Sequence, residues 1–185
     1  MKEELNSYNI ERIKNSLTPI DCGIGIHKGN LMLGIIGEKE RFEGTVISDT
    51  VNLASRLEGL TKYYGAGIII SQAIYQSIND TSKYMIRELD KVKVKGKKDA
   101  ISIYEILDGS PSEIIDLKLK TLDDFKKAYN LYLSKDFNNA LVIFSDILKI
   151  NPNDLACKMF LKRCETLNIF GVTDNWDGSE EFGEK

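Results

Sequence analysis

The sequence lacks any apolar run approaching the roughly 20 residues that cross a bilayer, which excludes a helical membrane span. Its N-terminus, "MKEELNSYNIERIKNSL", has no apolar h-region of the kind that marks a secretory signal, so the expected location is intracellular, in the cytoplasm. Positive charge is not in excess. The formal net charge is -3, which argues against a general nucleic-acid binder. Histidine is nearly absent: His27 is the single one. Without nearby acidic or thiol partners it is a poor metal ligand, and no obvious nucleophile completes a Ser/His/Asp triad with it. The three cysteines, Cys22, Cys157 and Cys164, form no CxxC pair and give neither a disulfide framework nor a zinc site. The common phosphate motifs are missing too. "GIGIHKG" is one residue too long for a dinucleotide fingerprint and opens a strand, and no GxxxxGK[ST] occurs.

What is present suits a globular chain of 185 residues, 42% hydrophobic and 29% charged. Residues 3–16 read as a helix with Leu5, Tyr8, Ile10 and Ile13 as a loose apolar side. Pro19 biases Thr18 away from the helical region and ends it. Ile20, Cys22, Ile24 and Ile26 alternate as a strand, and "NLMLGIIG" follows a Gly29-Asn30 turn, which predicts a hairpin. "GTVIS" is a short strand. Ser48 or Asp49 can cap the helix after it, and Gly65 stops that helix. "AGIIIS" reads as a buried strand, "SQAIYQSIND" as a short helix, and "YMIRELDKVKVKGKKDAISIYEIL" as a second hairpin.

After residue 107 the pattern changes. "DGSPSE" reads as a linker, and helical patterns follow from Leu122 to Leu133, from Phe137 to Lys149 and after "NPND". Ala128, Ala140, Phe144 and Pro152 fit a tetratricopeptide-type 34-residue repeat, with about one and a half repeats present. Such arrays are stable alone only from about three repeats, so the tail is expected to dock on the first domain or on a partner. Cys157 and Cys164, seven apart, share a face of the last helix and read as small buried hydrophobes. "GVTDNWDGSEEFGEK" is acidic and reads as irregular.

The stretch "GTVISDTVNLASRLEGL" carries the candidate chemistry. Leu53, Ala54, Leu57, Leu60 and Tyr64 form the apolar sector of its helix, while Asn52, Arg56 and Gly59 fall together on another side. Asn52 and Arg56 are four residues apart and project the same way. The face is not richly charged; it is made of an amide, a guanidinium and a glycine. The guanidinium fork suits phosphate oxygens; an amide both donates and accepts and suits a sugar hydroxyl. "VKVKGKK", 92–98, supplies further lysines in a hairpin turn.

The ordered set G-I-G-I-H-x-G, G-x-x-G, an arginine, T-V-x-x-D-x-V-N-x-A-S-R-x-E and a closing V-K-G-K hairpin resembles the class III adenylate/guanylate cyclases. The resemblance covers residues 1–107 and implies an α+β fold: a ferredoxin-like cyclase palm without its N-terminal part, followed by an all-α helical-repeat tail. Beyond it, the composition and helical patterns give a linker at 108–120, tetratricopeptide-like helices at 121–170 and an irregular acidic tail at 171–185. The tail, ending in W-D-G and E-K, also resembles one attached to some bacterial cyclases. By resemblance Asn52 orients the ribose, Arg56 stabilises charge on the phosphates in the transition state, Lys95 contacts the triphosphate and Thr45 selects the purine. The reaction implied is attack of the ribose 3′-oxygen on the α-phosphate of ATP, with GTP as the alternative, giving cyclic AMP and pyrophosphate.

The family holds Mg²⁺ or Mn²⁺ with two early aspartates, and no pair here has that context: Asp49 and Asp80 belong to a cap and a turn. No metal ligand is therefore assigned. The expected partner is a second copy of the chain or a metal-bearing cyclase half, and activity is expected only with the latter, not from the chain alone or as a homodimer. The alternatives are a non-catalytic dimerisation or regulatory module, and an adaptor whose helical tail binds a protein partner.

Overall fold

The computed structural model describes residues 1–38, 41–47, 49–94 and 99–182; for 33–38, 41–47 and 94 it describes the backbone alone. The described elements are α1 (Lys2–Lys14), β1 (Ile24–Ile26), β2 (Met32–Glu38), β3 (Arg41–Ile47), α2 (Asp49–Tyr64), β4 (Ile68–Ser71), α3 (Gln72–Tyr75), a 3₁₀ turn (Thr81–Lys83), β5 (Ile86–Val94), β6 (Ile101–Ile106), α4 (Ser112–Lys120), α5 (Leu122–Leu133), α6 (Phe137–Ile150), α7 (Leu155–Phe170) and β7 (Glu180–Phe182). The fold is α+β.

The main sheet has the order β1-β4-β6-β5-β7, and β2-β3 is a separate two-stranded ribbon. The hairpin expected between β1 and β2 does not form. β1 pairs in parallel with β4, Ile24 opposite Ile68, and β2 pairs with β3, Met32 opposite Ile47. A parallel pair needs a long crossover, and α2 supplies it. Alternation along each strand was legible, but partner choice depends on where that crossover packs. The second expected hairpin is present: β5 and β6 are antiparallel, with a register shift between Glu88 and Asp90. Its turn, 95–98, lies outside the described residues.

Two glycines let α2 lie directly on β1. A Cβ on Gly25 would stand 2.2 Å from the Ala54 carbonyl oxygen, and one on Gly23 would overlap the Thr61 hydroxyl. The helix buries Leu53, Leu57, Leu60, Thr61 and Tyr64 and ends at Gly65, whose φ of +62° suits glycine. α1 is held differently. It buries no residue. Its anchors are polar: Asn9 exchanges two hydrogen bonds with the Ile20 backbone, Asn6 donates to the Gly109 carbonyl, and Lys2 pairs with Asp21. Tyr8, Ile10 and Ile13, expected as part of its apolar side, are exposed.

The tail differs from expectation at both ends. Ser112–Lys120, inside the stretch read as a linker, is the helix α4; its nine residues were too short to stand out beside the Pro111 and Gly109 turn signals. In the stretch read as irregular, Glu180–Phe182 adds a parallel strand to β5, Val92 opposite Glu180. A polar three-residue segment has no strand signature of its own. Its pairing comes from the open edge of β5.

The tail and the sheet share one core. Ala128, Ala140 and Phe144 are fully buried, as are Cys157 and Cys164, and one apolar cluster runs from Leu57 and Ile69 to Phe125 and Phe160. Two ion networks cross the junction. Arg87 on β5, 1% exposed, pairs with Glu105 on β6 at 2.7 Å and with Asp154 at 2.5 Å, and its guanidinium lies 4.5 Å from the Phe125 ring centre. Asp154 also caps α7 by accepting from the Cys157 amide, and Lys118 on α4 pairs with Glu105 at 2.5 Å. In the second network Asp90 on β5, fully buried, accepts from the Tyr64 hydroxyl at 2.6 Å and pairs with Arg163 on α7 at 2.7 Å.

Burial opposes charge on Asp154, but the Arg87 guanidinium outweighs it and holds the carboxyl below its ordinary value. Removing one member of a buried pair strands the other charge, at a typical cost of about 3–5 kcal/mol. Asp154→Ala is therefore expected to lower the unfolding free energy by that amount in urea titrations. A loss under about 1 kcal/mol would show the pair to act like a surface one. Asp177, in the turn before β7, accepts from the side chain and the amide of Ser179. These bonds hold its carboxyl at about 2 against an ordinary 3.8. A lowered acid stabilises the fold above its unfolded value, and that contribution is lost as pH falls through the folded one. Emission from Trp176, the one tryptophan, is expected to stay constant down to about pH 4 and to change between there and about pH 2. A transition centred above pH 5 would contradict the role given to Asp177.

Candidate functional site

The face expected to carry chemistry is open. Asn52 is exposed and Arg56 half-buried, and a Cβ added at Gly59 would meet nothing within 4 Å. The opposite face of the same helix is locked. Leu57 and Tyr64 are fully buried, and the backbone is pressed on Gly23 and Gly25. Both ends are tied as well. Near the N-terminus the Thr50 hydroxyl donates to the Asn30 carbonyl at 2.6 Å. At the C-terminus Tyr64 donates to Asp90. Asn52 and Arg56 thus project from a helix whose apolar face and both ends are fixed.

Thr45 lies on β3, opposite Gly34 of β2, seven residues before Asn52. Lys95 follows β5 directly and lies outside the described residues, as does Ser48, one of the two expected caps of α2. Asp49 is the first residue of α2. His27, just beyond β1, shares a hydrogen bond of 2.8 Å with the Ser71 hydroxyl at the end of β4. Among the described residues no group of three or more His, Cys, Asp or Glu side chains is placed to hold a metal ion.

Cys157 and Cys164 do not supply a nucleophile. Burial pushes both helical thiols up, Cys164 to about 12 and Cys157 further, so neither is a thiolate near neutral pH.

The sequence reading missed the residues that connect the tail to α2. Asp90 sits beside the β5 register shift and bonds both Tyr64 and Arg163. Arg163 lies 73 positions away in the chain. Charged residues on a helix read as solvated by default, and nothing in their spacing predicts partners so distant. The one available signal was Asp90 within an otherwise apolar-alternating strand.

The chain is similar to known proteins. An adenylate cyclase of Anabaena cylindrica is 45% identical over 111 residues, covering 57% of this chain and 22% of the relative. The terminal-differentiation specific adenylate cyclase of Dictyostelium discoideum is 37% identical over 146 residues, covering 78% of this chain and 7% of the relative. Among solved structures, the adenylyl cyclase CyaB from P. aeruginosa is 29% identical, with a TM-score of 0.49 over 58% of this chain and 53% of that one. The chain thus spans under a quarter of these curated relatives and about half of the solved one. The adenylate and guanylate cyclase catalytic domain is the family whose model matches residues 1–108, and the chain belongs to that family.

Proposed function

We propose that this chain supplies the phosphate- and ribose-binding half of a nucleotide cyclase site, with ATP as substrate. The observation that carries the proposal is the Asn52–Arg56 pair. In a chain of this family it stands on the open face of a helix whose other face and both ends are fixed. Asn52 positions the ribose. Arg56 neutralises charge that develops on the phosphates as the 3′-oxygen attacks the α-phosphate and pyrophosphate leaves. Lys95 adds a cation on the triphosphate, and Thr45 contacts the purine and favours adenine over guanine. Phosphoryl transfer depends on positioning and fixed positive charge more than on covalent help, so a preorganised guanidinium is an effective contribution.

The described residues contain no metal-ligating cluster. No aspartate pair in the sequence has the context of the family's metal pair, so in this reading the carboxylates that hold Mg²⁺ or Mn²⁺ come from another stretch of polypeptide, a second cyclase domain apposed to the Asn52–Arg56 face of α2. No helix among the described residues is long and apolar enough to cross a membrane.

Residues 1–185 given Mn²⁺-ATP are expected to make no measurable cyclic AMP. Mixed with a metal-bearing cyclase segment they should make it, and Arg56→Ala in this chain should lower that yield by ~10² to 10³. Cyclic AMP from the chain alone, or a mixture indifferent to Arg56, would refute the assignment. Asn52→Ala should reduce the same complemented activity while shifting the unfolding free energy by no more than about 0.5 kcal/mol, because the residue is exposed. A large loss of stability would mark Asn52 as a structural residue.

A further inference from the structure

The search outside the proposed nucleotide site leads to a cavity of about 650 Å³ between α7 and the segment that runs from Trp176 into β7. Its volume lies in the range of small-molecule sites, typically about 300–1,000 Å³. We propose that it binds a small organic anion: a molecule with a flat apolar or aromatic body and one carboxylate, sulfonate or phosphate group.

The walls fit the body of such a ligand. Tyr63 of α2, Tyr132 of α5 and Trp176 line the cavity, with Met159 and Leu167 of α7 between them. Trp176 is fixed edge-on to Tyr132 at 5.2 Å and to Phe137 at 5.4 Å. Tyr63 is fixed in the same way against Phe182 at 5.0 Å. Flat faces held rigidly in this manner present apolar area at little entropic cost.

The charge fits the head group. Lys158, Lys162 and Arg163 line the cavity, against one acid, Glu180. Both lysines are exposed and offer mobile ammonium groups at the mouth. Arg163 is deeper, with its side chain 11% exposed. Its Nη1 is engaged by Asp90 at 2.7 Å and its Nε lies 3.4 Å from Glu180. Its Nη2 is buried with no hydrogen-bond partner among the described residues. A buried donor left unsatisfied is costly. Nη2 itself is closed off from the cavity, so an anionic head group is held by the two lysines at the mouth, each offering a charge-assisted bond. Inorganic anions alone would leave the aromatic walls wet, and neutral aromatics would gain nothing from the ammonium groups. The combination selects molecules that carry both features.

The site stands independently of the cyclase reading. Its position still bears on that reading, because Tyr63 belongs to the last turn of the helix that carries Asn52 and Arg56, and Arg163 reaches the neighbouring Tyr64 through Asp90.

The probe for the test is 8-anilinonaphthalene-1-sulfonate, an aromatic sulfonate, titrated into the full chain. One saturable site is expected, with quenching of Trp176 emission by energy transfer to the dye. The double substitution Lys158→Glu, Lys162→Glu alters only exposed side chains, so thermal unfolding should be unchanged, while affinity falls by about tenfold or more. The neutral analogue N-phenyl-1-naphthylamine should bind at least about tenfold more weakly, and inorganic sulfate at equal concentration should not displace the dye. Affinity unmoved by the lysine reversals, equal binding of the neutral analogue, or many non-saturating sites without Trp176 quenching would each overturn the proposal.

Discussion

Arg87 is the charge around which the molecule is organised. Its guanidinium is removed from water in the middle of the sheet, and burial works against its charge. Glu105 from the next strand and Asp154 from the cap of α7 more than compensate. Compensation and docking are therefore one event. The sheet supplies one carboxylate and the tail the other, and Lys118 of α4 balances the surplus on Glu105. Buried pairs are poor net stabilisers relative to apolar packing, yet they penalise every arrangement that separates the partners. Here they specify how the tail sits. The apolar cluster could tolerate small rotations of α5–α7; a planar guanidinium held from two sides does not.

A second pairing of the same kind reaches α2. Asp90 is buried between Tyr64 and Arg163, and β7 runs beside Val92–Val94, the strand segment that leads to Lys95. The tail thus touches α2 and β5, two of the three elements on which the proposed nucleotide-binding residues are mounted. The Dictyostelium match, at 146 residues, is longer than the 108-residue domain match and so extends into the tail. Shared packing offers a physical reason for tail and domain to occur together. A helix positioned from both ends holds its side chains in register with a substrate without an ordering cost at the moment of reaction.

The α2 helix also explains the density of glycine in the signature. Gly23 and Gly25 are needed where a helix backbone rests on a strand, since any Cβ there would overlap Thr61, Ala54 or Glu58. Gly59 is needed for no such contact and lies on the open face. One sequence motif thus mixes residues that serve close packing with residues that leave a surface clear for whatever is apposed to it.

Local patterns in the chain were enough for the helix carrying Asn52 and Arg56, its apolar sector, its stop at Gly65, the β5–β6 hairpin, the buried faces at Ala128, Ala140 and Phe144, and the family itself. These depend on periodicity, capping and short-range spacing, which sequence encodes directly. Tertiary structure alone decided that β1 pairs with β4 rather than β2, that the short segment Glu180–Phe182 adds a strand to the sheet, and that Arg87, Asp90, Asp154 and Arg163 are paired core residues rather than a solvated surface. The physical reason is the same in each case. A hydrogen-bonding edge or a buried charge takes whichever partner the packing delivers, and that partner stands tens of residues away in the chain, where no local period records it.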